Sequence, residues 1–163
     1  MTEMNIFCFG FGQVAKNFIN KLNNNKVSFN LTTTSREESK NKELNNTNYE
    51  SLQFTEKYFD KNLISKLEEA SHVLISIAPI NGADIVIKNF QNYFKSNKLK
   101  WVTYLSATSV YGDHEGEWVD EDSETEPTSP NGIDRLKVEK EWLKLANKFN
   151  LPFQIFRLSG IYS

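Results

Sequence analysis

Residues 4 to 15 read Met4-Asn5-Ile6-Phe7-Cys8-Phe9-Gly10-Phe11-Gly12-Gln13-Val14-Ala15. The apolar run Met4 to Phe9 is too short for a helix and fits a buried strand. It ends in Gly10-Phe11-Gly12-Gln13-Val14-Ala15, a GxGxxA turn. From Gln13 to Asn25 the apolar residues Val14, Ala15, Phe18, Ile19 and Leu22 form a helical stripe. A strand, a glycine turn and a helix in that order suit a pyrophosphate. Gly10 permits the tight turn, Gly12 lets backbone approach the phosphates, and Ala15 lets helix and strand pack closely. The free N–H groups of the helix start, at Gln13 and Val14, then face the anion. The same glycines serve packing alone if no ligand is bound.

The rest of the chain repeats this rhythm. Val27 to Thr33 is rich in β-branched residues and reads as a second strand. The polar stretch 36 to 50 reads as a short helix plus loop, and Ser51 to Phe54 as a weak third strand. Leu63, Leu67 and Ala70 share a helical face. His72 to Ala78 is a continuous apolar run closed by Pro79, which suits a parallel strand covered on both faces. Ile85 to Phe94 gives another helix, Trp101 to Ser106 a fifth strand, residues 132 to 149 a helix, and Phe153 to Leu158 a sixth strand. Strands alternating with helices predict α/β structure. The expected form is a doubly wound parallel Rossmann sheet of order 3-2-1-4-5-6.

Composition narrows the function classes. The length of 163 residues is a prior for a single domain spanning 1–163. The net charge of -2 provides no global basic excess for a nucleic-acid backbone. The single cysteine, Cys8, makes no internal disulfide and no cysteine metal cluster. No apolar stretch approaches the roughly 20 residues of a membrane span. The start MTEMNIFCFG lacks the basic flank of a signal peptide. A cytoplasmic protein with a small-molecule ligand is the expectation, with no metal. The many asparagines, clustered as in Asn23-Asn24-Asn25, are read as saying little about function.

The second strand runs out in Thr32-Thr33-Thr34-Ser35-Arg36. A site for NAD usually carries an Asp or Glu here for the ribose 2′-hydroxyl. Its absence turns the expectation to NADP, with NAD as the other candidate. Ser35 and Arg36 would hold the 2′-phosphate, Arg36 through charge-assisted contacts, unless Arg36 is merely solvated. Ala78 and Pro79, after the fourth strand, stand at the topological switch point where ligands lie. Pro79 equally explains the end of the strand.

With these elements placed, the chain resembles the extended short-chain dehydrogenase/reductase family, the NAD-dependent epimerases and dehydratases. The carrying segments are FCFGFGQVA, YLSATSVYGDHEGEWVDED, PTSPNGIDRLKVEKEW and FRLSGIYS. The nearest likeness is to an atypical bacterial branch described as nucleoside-diphosphate-sugar epimerase-like. The resemblance implies an oxidoreductase or epimerase acting on a nucleotide-sugar or related small molecule. It implies a Tyr-x-x-x-Lys pair and a Ser or Thr as catalytic groups. In this chain the Tyr position falls on Asn131, the Lys position on Arg135 and the Ser/Thr position on Ala107. Asn is no proton donor and acceptor near neutral pH, and Arg does not titrate. Ser106, Thr108 and Arg135 therefore remain as weak candidates for the reacting end. The alternative is a catalytically silent NADP-binding sensor or regulatory protein. The resemblance also implies a homodimer through the last helix. It further implies that the family continues beyond Gly160-Ile161-Tyr162 into a C-terminal substrate lobe missing here, so the chain reads as a truncated cofactor-binding half.

Four other features have simpler readings. Residues 113 to 126 carry eight carboxylates, among them Asp113 and Glu126, with no Lys or Arg. That pattern reads as a solvated, mobile segment, and the resemblance implies that it lies over the substrate mouth with Trp118 as its apolar anchor. Cys8 reads as a small buried apolar residue. His72 reads as an edge cap. Tyr111 reads as packing, with replacement of the missing acid as the lesser role.

Overall fold

The structure is a computed structural model describing residues 4–160. Gly160 is therefore described, while Ile161 and Tyr162, where continuation into a second lobe is expected, lie outside the described residues. β1 (Met4–Phe9) leads through α1 (Gln13–Asn24) into β2 (Phe29–Ser35). Two further strands, β3 (Lys40–Leu44) and β4 (Thr47–Gln53), precede α2 (Leu63–Glu69) and β5 (His72–Ile75). Then come α3 (Ile85–Phe90), a 3-10 turn over Gln91–Lys95, β6 (Trp101–Ala107), α4 (Pro130–Phe149) and β7 (Phe153–Leu158). The strands form one sheet of order β3-β4-β2-β1-β5-β6-β7. Without β3 this is the doubly wound Rossmann order expected from the sequence, with every pair parallel.

β3 is the departure. Residues 36 to 50 hold no helix; they fold into an antiparallel hairpin in which Lys42 faces Tyr49 and Leu44 faces Thr47. The two turn residues, Asn45 and Asn46, both take positive φ, 48° and 66°. A two-residue hairpin turn with both centres left-handed favours Asn, because its short amide tolerates that region. The paired asparagines set apart as uninformative thus decide this edge of the sheet. Asn81-Gly82 does the same in a smaller turn, φ 50° and 70°, which closes an Ile80–Ala83 bridge.

The strands alternate faces. Ile6, Cys8, Leu31, Leu74 and Leu105 pack with Ala15 and Ile19 of α1. Phe7, Phe9, Val73, Ile75 and Tyr104 pack with α2, α3 and α4 on the other side. Phe9, wholly buried, meets Phe54 edge-on and stacks with Phe90. Burying such a side chain contributes about 2–3 kcal/mol of transfer free energy. α4 begins at Ser129, whose Oγ accepts from the Gly132 N–H, with Pro130 in its first turn. It ends at Asn150 in the left-handed region.

β5 is shorter than the apolar run 72–78 predicts. Its last ladder bond runs from Ser76 N–H to Phe9 O. β1 turns away at Gly10, so on that side no strand remains for the next residues, and the pairing with β6 stops at Ile75 opposite Tyr104 although β6 runs on to Ala107. Ser76 and Ile77 leave the sheet at the carboxyl edge, where the functional cleft lies.

Candidate functional site

The glycine turn separates its two glycines physically. Gly10 has φ +82°, and a Cβ there would lie 2.8 Å from Ser76 Oγ. The left-handed turn and the closeness of β5 both demand glycine. Gly10 N–H donates to Thr34 Oγ1 at 2.9 Å, which ties the turn to β2. Gly12 has φ −80° and ψ −168°, an ordinary extended conformation, and a Cβ there would meet no atom within 4 Å. Nothing in the protein requires this second glycine. It leaves open the space above the start of α1. That helix has no side-chain cap and no acidic residue in its first turn. Its first N–H groups therefore face the opening with the positive end of the helix dipole behind them. Ala15 is wholly buried against β1.

The opening is part of one cleft of about 1200 Å³ along the carboxyl ends of the strands. Gly10, Gly12, Gln13 and Val14 line its middle. Ser35 and Arg36 line the end over β2, with Ser51 beside them. Ser51 Oγ donates to Ser35 Oγ at 3.2 Å. The Arg36 side chain is exposed, and its backbone carbonyl accepts from Gln53. Glu37 and Glu38 do not line the cleft; Glu37 lies between Lys40 and Lys42, whose ammonium groups hold its carboxyl down at about 2. Glu56, from the loop after β4, places one carboxylate at this end.

Ser106, Ala107 and Arg135 line the opposite end. Arg135 reaches from α4 to the end of β6, where its Nη1 donates to Leu105 O at 3.0 Å. Its Nε is buried without a protein partner, and so is Ser106 Oγ. The Arg135 guanidinium also acts on the buried Tyr104 hydroxyl, and a buried polar atom left unpaired costs stability, so Ser106 Oγ in particular is open to a ligand at this end. The walls around them, Ile77, Ile80 and Leu105, are apolar.

Several sequence candidates lie elsewhere. Ala78 and Pro79 do not line the cleft; Ser76, Ile77 and Ile80 take that place, because the chain has already left the sheet. Thr108 is exposed and outside it. Asn131 is exposed in the first turn of α4, also outside. Among the described residues no phenol lines the reacting end. Tyr111 is packed under the Arg157 guanidinium, 4.8 Å from its ring. Tyr104 is wholly buried behind Ser106, and burial pushes its hydroxyl well above the usual phenol range. Trp118 is fully exposed and anchors nothing. Cys8 is wholly buried, and burial pushes its thiol up to about 12. His72 stands at the far, amino end of β5, where burial and then Lys100 lower its pKa.

The sequence reading missed Thr33, Lys42, Tyr49 and Ser51, which also line the cleft. The signal for Lys42, Tyr49 and Ser51 was the Asn45-Asn46 turn, since the hairpin brings them there, whereas Thr33 stands on β2 itself. It also missed Asp84, whose Oδ1 caps α3 through Val86 and Ile87 N–H. The buried pair of Glu139 with Arg157, 2.9 Å apart, spans α4 and β7 and was not legible either.

No protein-family model and no curated protein matches the chain. Among solved structures, a functionally unknown conserved protein from Silicibacter pomeroyi DSS is 30% identical, with TM-score 0.77, over 98% of this chain and 53% of that one. UDP-glucuronic acid 4-epimerase from Bacillus cereus, in complex with NAD, is 18% identical with TM-score 0.77, over 98% and 57%. UDP-N-acetylglucosamine 4-epimerase from Methanobrevibacter ruminantium M1 is 18% identical with TM-score 0.73, over 96% and 55%. This chain spans about half the length of each. No helix among the described residues is long and apolar enough to cross a membrane. The glycine turn, the strand order and the cleft are those of a Rossmann-like α/β fold, the fold this chain shares with the NAD-dependent sugar epimerases.

Proposed function

We propose that the chain binds a nicotinamide dinucleotide along the cleft and prefers NADP to NAD. The observation that carries this is the empty space above Gly12 at an uncapped helix start, within a cleft of about 1200 Å³ whose lining runs from Ser35 and Arg36 to Ser106 and Arg135. Gly12, Gln13 and Val14 would hold the pyrophosphate through backbone N–H groups. Ser35 and Arg36 would take the 2′-phosphate. Ser106 and Arg135 would pair with the nicotinamide ribose. The cofactor would supply hydride transfer. The protein is then the cofactor half of an oxidoreductase or epimerase acting in the cytoplasm on a nucleotide-sugar or related small molecule. The likeness to the sugar epimerases supports that class. A homodimer through α4, where Ile133 and Leu143 are about half exposed, belongs to the same reading.

A second reading is favoured by one observation. Asn131, at the position the resemblance gives to tyrosine, lies outside the cleft, and among the described residues no phenol lines the end at Ser106 and Arg135. The chain would then bind cofactor without turnover and serve as a sensor of NADP state. Titration with NADPH, followed by fluorescence, tests the shared part: saturation in the micromolar range is expected, and no binding at millimolar cofactor overturns both readings. Incubation with NADP and a panel of nucleotide sugars separates them. Cofactor reduction or product epimerisation rejects the sensor.

A further inference from the structure

The hairpin that replaces the expected second crossover helix gives the cleft a floor with its own chemistry. Cross-strand partners in a sheet point to the same side. Lys42 is opposite Tyr49, Lys40 opposite Ser51, and Ser51 in turn pairs with Thr33. Lys42, Tyr49, Ser51, Thr33 and Ser35 thus share one side of the sheet, and all five line the cleft. Tyr49 is fixed there by Phe11 of the glycine turn, ring centres 5.1 Å apart. Thr33 is wholly buried, and its hydroxyl has no protein partner. Lys42 is more buried than a surface lysine, 27% exposed, yet its ammonium leans onto Glu37 at 2.8 Å, outside the cleft. Glu37 is itself 62% exposed and shared with Lys40 at 3.0 Å. Ion pairs this exposed are weak and screened by salt. Lys42 is therefore a cation at the cleft wall held by a carboxylate that is easily displaced.

We propose that Lys42 and Arg36 together clamp the 2′-phosphate of NADP, and that Glu37 is an internal counter-ion occupying Lys42 until the phosphate displaces it. The proposal rests on the dinucleotide reading above and adds to it a second cation and a built-in competitor. Arg36 provides a planar fork and Lys42 a mobile point charge from the facing strand. The charged residues lining the cleft are Lys16, Arg36, Lys42 and Arg135 against the single carboxylate of Glu56, a balance that favours the dianionic 2′-phosphate over the neutral ribose hydroxyl of NAD. Glu37 would set the selectivity by competing with phosphate for Lys42, without touching the cofactor.

Calorimetric titration with NADPH and with NADH, on the wild type, Lys42→Ala and Glu37→Gln, tests this. All three should keep the same melting temperature within a few degrees, since the Lys42–Glu37 pair is open to solvent through Glu37 and such pairs add little stability. Lys42→Ala should weaken NADPH by about tenfold, the value of a charge-assisted contact, and NADH by less than about twofold. Glu37→Gln should tighten NADPH several-fold and leave NADH unchanged. Raising the salt should shrink the NADPH preference of the wild type. Equal weakening of both cofactors by Lys42→Ala, or no effect, overturns the clamp while the dinucleotide reading stands. No change of NADPH affinity in Glu37→Gln overturns the counter-ion. Failure of either cofactor to bind any of the proteins overturns the dinucleotide reading itself, and the clamp with it.

Discussion

The Trp142 indole N–H donates to the Asp84 carboxylate across 2.8 Å, joining α4 to the start of α3 under the cleft. The other carboxylate oxygen accepts from Val86 and Ile87 N–H and so caps α3. Both residues are buried, Trp142 wholly. Asp84→Ala removes the cap and leaves a buried indole donor unpaired. These losses sum to about 2–4 kcal/mol, read as a lower urea midpoint monitored by Trp fluorescence. Burial raises the Asp84 pKa above its ordinary 3.8. A native pKa above the unfolded one gives stability that is present below pH 3.8 and lost as pH rises through the native value. The wild type should lose this contribution on leaving acid, and Asp84→Ala should not.

The two glycines of the turn should fail differently. Gly10→Ala places a Cβ at φ +82° and 2.8 Å from Ser76 Oγ, so it should destabilise the fold. A loss of about 1–3 kcal/mol is expected for such backbone strain. Gly12→Ala meets nothing within 4 Å and should leave the melting temperature unchanged. Its methyl group occupies the space assigned to the pyrophosphate, so NADPH affinity should drop. If Gly12→Ala binds NADPH normally, the space is not the phosphate site.

Glu139 is nearly fully buried, and its carboxylate is met by Arg157 through Nε and Nη2. The guanidinium in turn lies over Tyr111, which holds the segment after β6. Arg157→Met would leave a buried carboxylate without its cation, at about 3–5 kcal/mol. The double change Glu139→Leu with Arg157→Met removes both charges and should regain most of that loss. Denaturant midpoints of the two variants decide it.

Cys8 should be silent to thiol reagents in the native protein, because it is wholly buried and its thiol is raised from 9.0 to about 12. At pH 8 labelling should follow the unfolding rate, and urea should release it. The sign of the linkage is the same as for Asp84. Its contribution is complete below pH 9 and lost as pH rises toward 12, because only the unfolded chain releases the proton in that range. Rapid native labelling would show that α1 does not cover β1 as described.

What could be read in advance followed local periodicity. The stripe Val14-Ala15-Phe18-Ile19-Leu22, the first strand and the GxGxxA turn are short-range patterns, and these fell where expected. The hairpin 40–53 was missed, apart from the weak strand read at Ser51 to Phe54, because β3 and the start of β4 are polar and mostly exposed and show little hydrophobic alternation. Its real signal was backbone chemistry, two asparagines in left-handed conformation. Ala78 and Pro79 fall outside the cleft lining because the chain leaves the sheet after Ser76, where β1 turns away at Gly10, a fact of pairing and not of β5's own residues.

The sequence alone determined a doubly wound α/β chain and a glycine turn at the carboxyl end of its first strand, since both arise from residues close together along the chain. The tertiary structure decided what shares the cleft. It brought Lys42, Tyr49 and Ser51 to the β2 end, left Asn131 outside, and turned Ser106 and the Arg135 Nε inward without partners. Those relations join residues far apart in sequence, and only the packing of strands and helices against one another fixes them.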